Sequence, residues 1–293
     1  MISLAVVLLF VSVSFGDVVP NRIHLPDIKN SMFPRTFDGS SNSRIINGEI
    51  SKMFSRPYQA SLQVWYQNVL YHICGAVIIA PDVLVCAAHC LVVFPVDWLR
   101  VEVGSLSLTS NASVYTQFLD VESVKPHEDY RDIVTEEEVF PNDIGLIFLK
   151  RRMTFNANVQ PILIASPFQS FDNEICVISG WGSTYYGSPT PADLREAKMR
   201  KWPYQQCQDF HQEIGTNVNK NQICVKGESD DGLPPGSCQG DSGGPLACGH
   251  RFLLGVTSYG FGKCSVEAPS VYTRVPGYYS WIIESIFQHS FPQ

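Results

Sequence analysis

The chain has 293 residues, of which 45% are hydrophobic, 12% aromatic and only 17% charged; this is enough apolar material for one or two packed cores and excludes disorder over most of the length. Its 21 glycines and 19 prolines follow no period and no heptad is sustained, so collagen-like and coiled-coil readings fail. A net charge of −7 gives no basic footprint for nucleic acid or an anionic membrane surface, and neither is expected as a partner.

Residues 1–16, MISLAVVLLFVSVSFG, have the apolar run of a secretory signal peptide, with the small residues Ser14 and Gly16 placed for cleavage before Asp17. The run is too short to span a bilayer, and no later stretch is apolar enough to do so. Secretion is therefore predicted, and the nine cysteines suit an oxidising compartment. An odd number leaves at least one thiol unpaired within the chain. Residues 17–44 hold Pro20, Pro26 and Pro34 and end in the soft run Asp38 to Arg44, the texture of an exposed, protease-sensitive connector. Short β-rich runs follow: Ser61–Tyr66, Ala76–Ile79, Val83–Val85, Arg100–Val103, Ile144–Leu149, Ile175–Ile178, Phe252–Ser258 and Ser270–Val275, separated by Gly, Pro, Asn and Asp. Such spacing predicts an all-β barrel or sandwich. One helix is predicted, Tyr278 to Phe287, with Tyr279, Ile282, Ile283 and Ile286 on its apolar face. Asn111-Ala112-Ser113 is a glycosylation sequon.

Gly240-Asp241-Ser242-Gly243-Gly244-Pro245 packs glycines around one serine, so the backbone there can turn sharply and present a hydroxyl together with N–H groups. A hydroxyl becomes a nucleophile at neutral pH only when an imidazole takes its proton. Of the seven histidines, His89 stands apart in Cys86-Ala87-Ala88-His89-Cys90, directly after an apolar run. A third member would be a buried carboxylate that fixes the imidazole tautomer. Asp143 opens the apolar strand Ile144–Leu149, where a charge is costly unless paired.

Cys-Ala-Ala-His-Cys, Asp-Ile-Gly-Leu and Gly-Asp-Ser-Gly-Gly-Pro occur in that order, with Gly180-Trp181-Gly182 before the last. Over residues 45–288 the chain thereby resembles the chymotrypsin-like (trypsin-family) serine endopeptidases. The resemblance implies two six-stranded antiparallel β-barrels, roughly 45–160 and 161–275, with the active site between them and a C-terminal helix, after a signal peptide (1–16) and an activation propeptide (17–44). It implies that Ser242 attacks the scissile carbonyl, that His89 is general base and then acid, and that Asp143 orients His89. The N–H groups of Gly240 and Ser242 would form the oxyanion hole, Ser258 would cover the Asp143–His89 pair, and Gly260 would bind substrate backbone as an antiparallel strand. Arg44-Ile45-Ile46-Asn47-Gly48 resembles the activation junction: a trypsin-like protease would cut after Arg44, and the new ammonium of Ile45 would pair with Asp241. In the precursor, His72 stands where it can hold Asp241 away.

Eight cysteines can pair in on the order of a hundred ways, and nothing in their spacing selects one. The family framework implies Cys74–Cys90, Cys176–Cys248, Cys207–Cys224 and Cys238–Cys264, leaving Cys86 as a small buried hydrophobe. By the same resemblance Gly236 and Ser237 would floor the primary pocket, with Gly260 and Ser270 as its walls. No Asp stands at Gly236 to meet Arg or Lys, so large apolar residues are expected before the cut. An elastase-like or broad preference and a catalytically silent binding homologue are the alternatives. The loop Lys226 to Pro235 carries Glu228, Asp230 and Asp231, which would restore a basic preference if they turned inward. Neither a cofactor nor a metal is expected: Ser105 to Asn111 lacks the charged oxygens of a calcium loop, and no zinc spacing remains. The expected protein is a secreted, monomeric endopeptidase whose partners are protein or peptide substrates, an activating trypsin-like protease and protein inhibitors.

Overall fold

The computed structural model describes residues 18–20, 45–108, 113–229, 232, 234–249 and 251–291. The expected signal peptide, Arg44, Asn111, Asp230 and Asp231 lie outside these residues.

Strands β1 (Val18–Pro20) and β2 (Glu49–Ile50) precede a closed barrel. It consists of β3 (Gln59–Tyr66), β4 (Val69–Ala80), β5 (Val83–Cys86), β6 (Leu99–Val103), β7 (Gln117–Pro126) and β8 (Gly145–Leu149), joined antiparallel in the order β3-β4-β5-β8-β7-β6. Helix α1 (Ala88–Leu91) follows β5. After β9 (Leu163–Ile164) come β10 (Ile175–Gly180), β11 (Arg195–Lys201), helix α2 (Tyr204–Glu213), β12 (Gln222–Gly227), β13 (Pro245–Cys248), β14 (Phe252–Phe261), β15 (Ser270–Arg274) and helix α3 (Tyr279–Ser290). Strands β14-β13-β10-β11-β12-β15 form a second antiparallel barrel, closed by pairing between β14 and β15. β2 lies along β11, β9 runs parallel to β14, and β1 runs antiparallel to β14.

Alternation explains why the barrels pack against one another. Leu84 and Cys86 of β5 point into the first barrel with Leu62, Leu99 and Ile147. The intervening Val83 and Val85 point outward and join Leu146, Phe148, Leu253, Val256 and Ile282 in the seam between barrels. Both faces of β5 and β8 are therefore apolar, which is why these strands read as continuous hydrophobic runs. The second interior is built from Ile178, Met199, Val225, Leu246, Leu254 and Tyr272.

Four disulfides are present: Cys74–Cys90, Cys176–Cys248, Cys207–Cys224 and Cys238–Cys264. The first lies within the first barrel and the other three within the second. Cys86 is free and buried.

Several local expectations change. Ala76–Ile79 is only the end of β4, a strand of 12 residues whose start carries polar His72 and Tyr71. Strand β11, Arg-Glu-Ala-Lys-Met-Arg-Lys, has no apolar signature, yet Arg195 is buried because it donates to the Gly48 carbonyl at 3.0 Å, and Lys201 is held by Asp172. Helix α2 is polar and was not expected. Helix α3 buries a different face from the one its periodicity suggests: Ile282 is 0% exposed while Ile283 is 49% and Tyr279 is 45%. The barrel seam takes Tyr278, Ile282 and Ile286, which turns Ile283 and Phe287 to solvent.

Candidate active site

His89 sits on α1, buried, in a turn that follows β5 and is clipped to β4 by Cys74–Cys90. Its backbone N–H donates to Oδ1 of Asp143 at 3.0 Å, and its Nδ1 bonds Oδ2 at 2.8 Å. Ser258 Oγ of β14 donates to the same Oδ2 at 2.5 Å, and Thr273 Oγ1 of β15 donates to the Asp143 carbonyl at 2.7 Å. Asp143 is thus gripped from both barrels. Burial alone would raise its carboxyl, but the neighbouring His89 and these hydrogen bonds outweigh burial and hold it below the usual carboxylate range. An ionised Asp143 accepting at Nδ1 fixes the proton there, so in the neutral ring Nε2 carries the lone pair. His89 Nε2 is buried with no hydrogen-bond partner among the described residues.

Ser242 comes from the second barrel, in the turn before β13. Gly240 and Gly243 have φ of +93° and +71°, the left-handed region that glycine tolerates. A Cβ on Gly243 would lie 2.5 Å from Cys86 Sγ and 2.6 Å from the Gly75 carbonyl, so only glycine lets this turn approach the first barrel. The Gly75 N–H donates to the Ser242 carbonyl at 2.8 Å, and Gly243 N–H donates to the Thr257 carbonyl at 2.8 Å. The Cys86 thiol donates to Gly75 at 3.2 Å, and burial pushes its pKa far up, so it packs beneath the turn as an inert group.

Asp241 is buried next to Ser242, accepting from the N–H groups of Gly182 and Cys238, each at 2.9 Å. Gly180 and Gly182 have no room for side chains, since a Cβ on either would fall on that carboxylate. No cation among the described residues pairs with it. Burial, only partly offset by the two amides, raises the carboxyl to about 7. Ile45 is buried in the second barrel, while the Ile46 carbonyl accepts from Gly236 N–H at 3.2 Å. His72 does not hold Asp241. Its Nε2 donates to the Gly240 carbonyl at 2.9 Å and its Nδ1 bonds Ser61 Oγ at 2.8 Å. Burial lowers its pKa to about 4, so the ring is neutral and orients the Gly240 peptide.

Gly236 and Ser237 are buried beside β15. Ser237 Oγ donates to Ser270 Oγ at 2.9 Å. A Cβ on Gly236 would meet Val266 Cγ1 at 3.2 Å, so Val266, which sequence reasoning missed, stands over the glycine floor. Glu228 is exposed and forms a two-armed ion pair with Arg200 on β11, one contact at 2.7 Å. That pairing engages both of its carboxylate oxygens. Gly260 lies opposite Val19 of β1. Two His/Cys groups could suggest a metal, Cys74–His89–Cys90 and Cys207–His211–Cys224. In each the two sulfurs are bonded together, leaving no thiolate to ligate an ion. Thr273 was also missed; its hydroxyl reaches a backbone carbonyl, and no local pattern in the sequence marks such a contact.

Residues 45–282 match the sequence pattern of the family described as Trypsin. Among similar proteins, Hypodermin-B of Hypoderma lineatum is 32% identical over 286 residues, 97% of this chain and 98% of that relative. Trypsin epsilon of Drosophila erecta is 30% identical over 283 residues, 96% of this chain and 97% of the relative. Chymotrypsin-like elastase family member 3B of Homo sapiens is 32% identical over 269 residues, covering 85% and 91%.

Proposed function

The chain belongs to the trypsin family and is a serine endopeptidase; from that premise we propose that Ser242, His89 and Asp143 are its catalytic triad, and that it is a secreted zymogen cut after Arg44. The observation that carries the triad is the Asp143–His89 pair, fixed through Nδ1 with Nε2 left without a partner among the described residues. Nε2 takes the Ser242 proton as Oγ bonds to the scissile carbonyl carbon, and the carbonyl electron pair moves onto oxygen. The N–H groups of Gly240 and Ser242 hold that oxyanion, each worth a few kcal/mol of transition-state stabilisation. His89 then gives its proton to the departing amine, and water repeats the relay on the acyl-enzyme.

Cleavage would convert the Ile45 amide to an ammonium of pKa about 8, the charge that a buried Asp241 lacks in the continuous chain. Residues 1–16 direct secretion, Asn111 is a glycan site, and a trypsin-like activator and protein inhibitors are partners.

The preferred residue before the cut is large and apolar. Gly236 supplies no charge, Ser237 and Ser270 bond one another, and Glu228 is spent on Arg200. Preference for smaller side chains is the second reading, favoured by Val266 over the floor. Initial rates on peptides varied only at that position (Phe, Leu, Ala, Arg), after cleavage at Arg44 and with Ser242→Ala as blank, decide between them. Fastest turnover of Phe or Leu is expected; Ala in front establishes the second reading, and Arg in front refutes both. Absence of fluorophosphonate labelling at Ser242 after cleavage refutes the enzyme mechanism.

A further inference from the structure

Strand β13 pairs with β14 only as far as Val256, and beyond that point the edge of β14 has lost its barrel partner. An open edge presents unpaired N–H and C=O groups to any extended chain. In this molecule β1 takes it, with Val18 opposite Phe261, Val19 opposite Gly260 and Pro20 opposite Tyr259, antiparallel. The register is chemically selective. Proline has no N–H, so it fits only at a pair that exchanges no hydrogen bonds. Alternation along an antiparallel ladder then makes Val19 and Gly260 the pair that exchanges both.

A second observation concerns the catalytic groups. Ser242 and Ser258 are 0% exposed and His89 is 1% exposed in the continuous chain. A hydrolase that must admit a peptide is here closed to solvent, while its open strand edge is already filled. From behind, that edge is packed: Tyr259 is buried, bonded through its hydroxyl to His211 Nε2 at 3.1 Å, and in contact with Phe140 and Phe261. The 24 residues from 21 to 44 can reach about 80 Å when extended. Val18–Pro20 can therefore stay on β14 while Ile45 is buried in the second barrel. Residues 17–44 contain no cysteine, so after a cut at Arg44 no disulfide would retain the segment, and among the described residues its contact is this short ladder.

We propose that Val18-Val19-Pro20 is a built-in ligand of the Tyr259–Phe261 edge, a strand occupying the seat of the substrate backbone until the leader departs. The edge accordingly accepts extended aliphatic peptides with proline opposite Tyr259. The assignment of that edge to substrate rests on the function proposed above; the strand contact itself does not.

The test uses the full-length chain bearing Ser242→Ala, so that nothing is cut, and reads amide hydrogen exchange across Tyr259–Phe261. Two variants are compared with it: Val19→Pro, and the triple replacement Val18→Gly, Val19→Ser, Pro20→Gly. Both alter a segment outside the barrels, and unchanged exchange in β13 checks that the fold persists. Loss of the ladder should speed exchange at Gly260 roughly threefold to tenfold, the equivalent of one net hydrogen bond. A synthetic peptide of residues 17–28 added to the triple variant should restore protection, whereas the same peptide N-methylated at Val19 should not. Equal exchange in parent and variants, or equal rescue by both peptides, overturns the proposal. Because no turnover is measured, this result is separable from failure of the proposed function, which shows as Ser242 unlabelled by fluorophosphonate.

Discussion

The two barrels differ in what their edges carry. The first is six strands closed on themselves, with no additional strand among the described residues, while the second bears β1, β2 and β9 on its strands. The same division separates the chemistry. His89 and Asp143, which need a fixed tautomer and a fixed distance, stand on the self-contained barrel. Ser242, Asp241, Gly236 and the edge of β14 belong to the barrel with accessory strands, where the proposed activation and substrate binding would act. The His89–Asp143 pair thus stands on the barrel without accessory strands, although Ser258 and Thr273 of the other barrel also hold Asp143.

The largest expected effect breaks the division at its junction. In the activated protein, Ser242→Ala and His89→Ala, taken from different barrels, should each lower kcat by on the order of 10⁶-fold, and the double variant by no more. Additive losses measured under single-turnover conditions would show two independent contributions. Next is Asp241, whose carboxyl sits near 7 in the continuous chain. Between about pH 4 and 7 the folded chain holds a proton that the unfolded chain has released, so stability is full below pH 4 and falls as pH rises through 7. Asp241→Asn, which cannot titrate, should abolish that slope in the uncleaved chain. Cleavage after Arg44 should remove the slope too, as calorimetry across pH would report.

In the seam, Ile282→Ala should cost about 2–5 kcal/mol in denaturant unfolding. Ile283→Ala on the exposed face should cost under about 0.5 kcal/mol. Equal losses would mean that the helix face read from periodicity was right after all. The smallest effect is at the pocket. Val266→Ala should raise the Phe-to-Ala ratio of kcat/KM by about tenfold, the lower end of what a methylene or two contributes to a pocket.

The candidate site was legible because its markers are local. Glycines that permit a positive φ and a close approach, a histidine beside a cysteine, and an acid at the head of an apolar strand are each set by neighbours in sequence. Strands with apolar faces, such as β5 and β8, were legible for the same reason. Contacts between distant segments were not. Arg195 and Lys201 hide β11 because their charges are satisfied by Gly48 and Asp172 from elsewhere in the chain. The periodicity of α3 is equally good for two faces, and the seam chooses Ile282. Nothing near His72 tells it to bond the Gly240 carbonyl rather than Asp241. Val18-Val19-Pro20 is too short to read as a strand until β14 is there to pair with it.

No disulfide crosses from one barrel to the other. The connecting segment from 150 to 174 includes exposed Arg151, Arg152, Leu163 and Phe168. One cut there would leave His89 and Asp143 on one fragment and Ser242 on the other, held together by the apolar seam and by hydrogen bonds between barrels such as those of Ser258 and Thr273 to Asp143. Were other copies of the enzyme to cut that segment, the loss would be bimolecular and would quicken as the concentration rises.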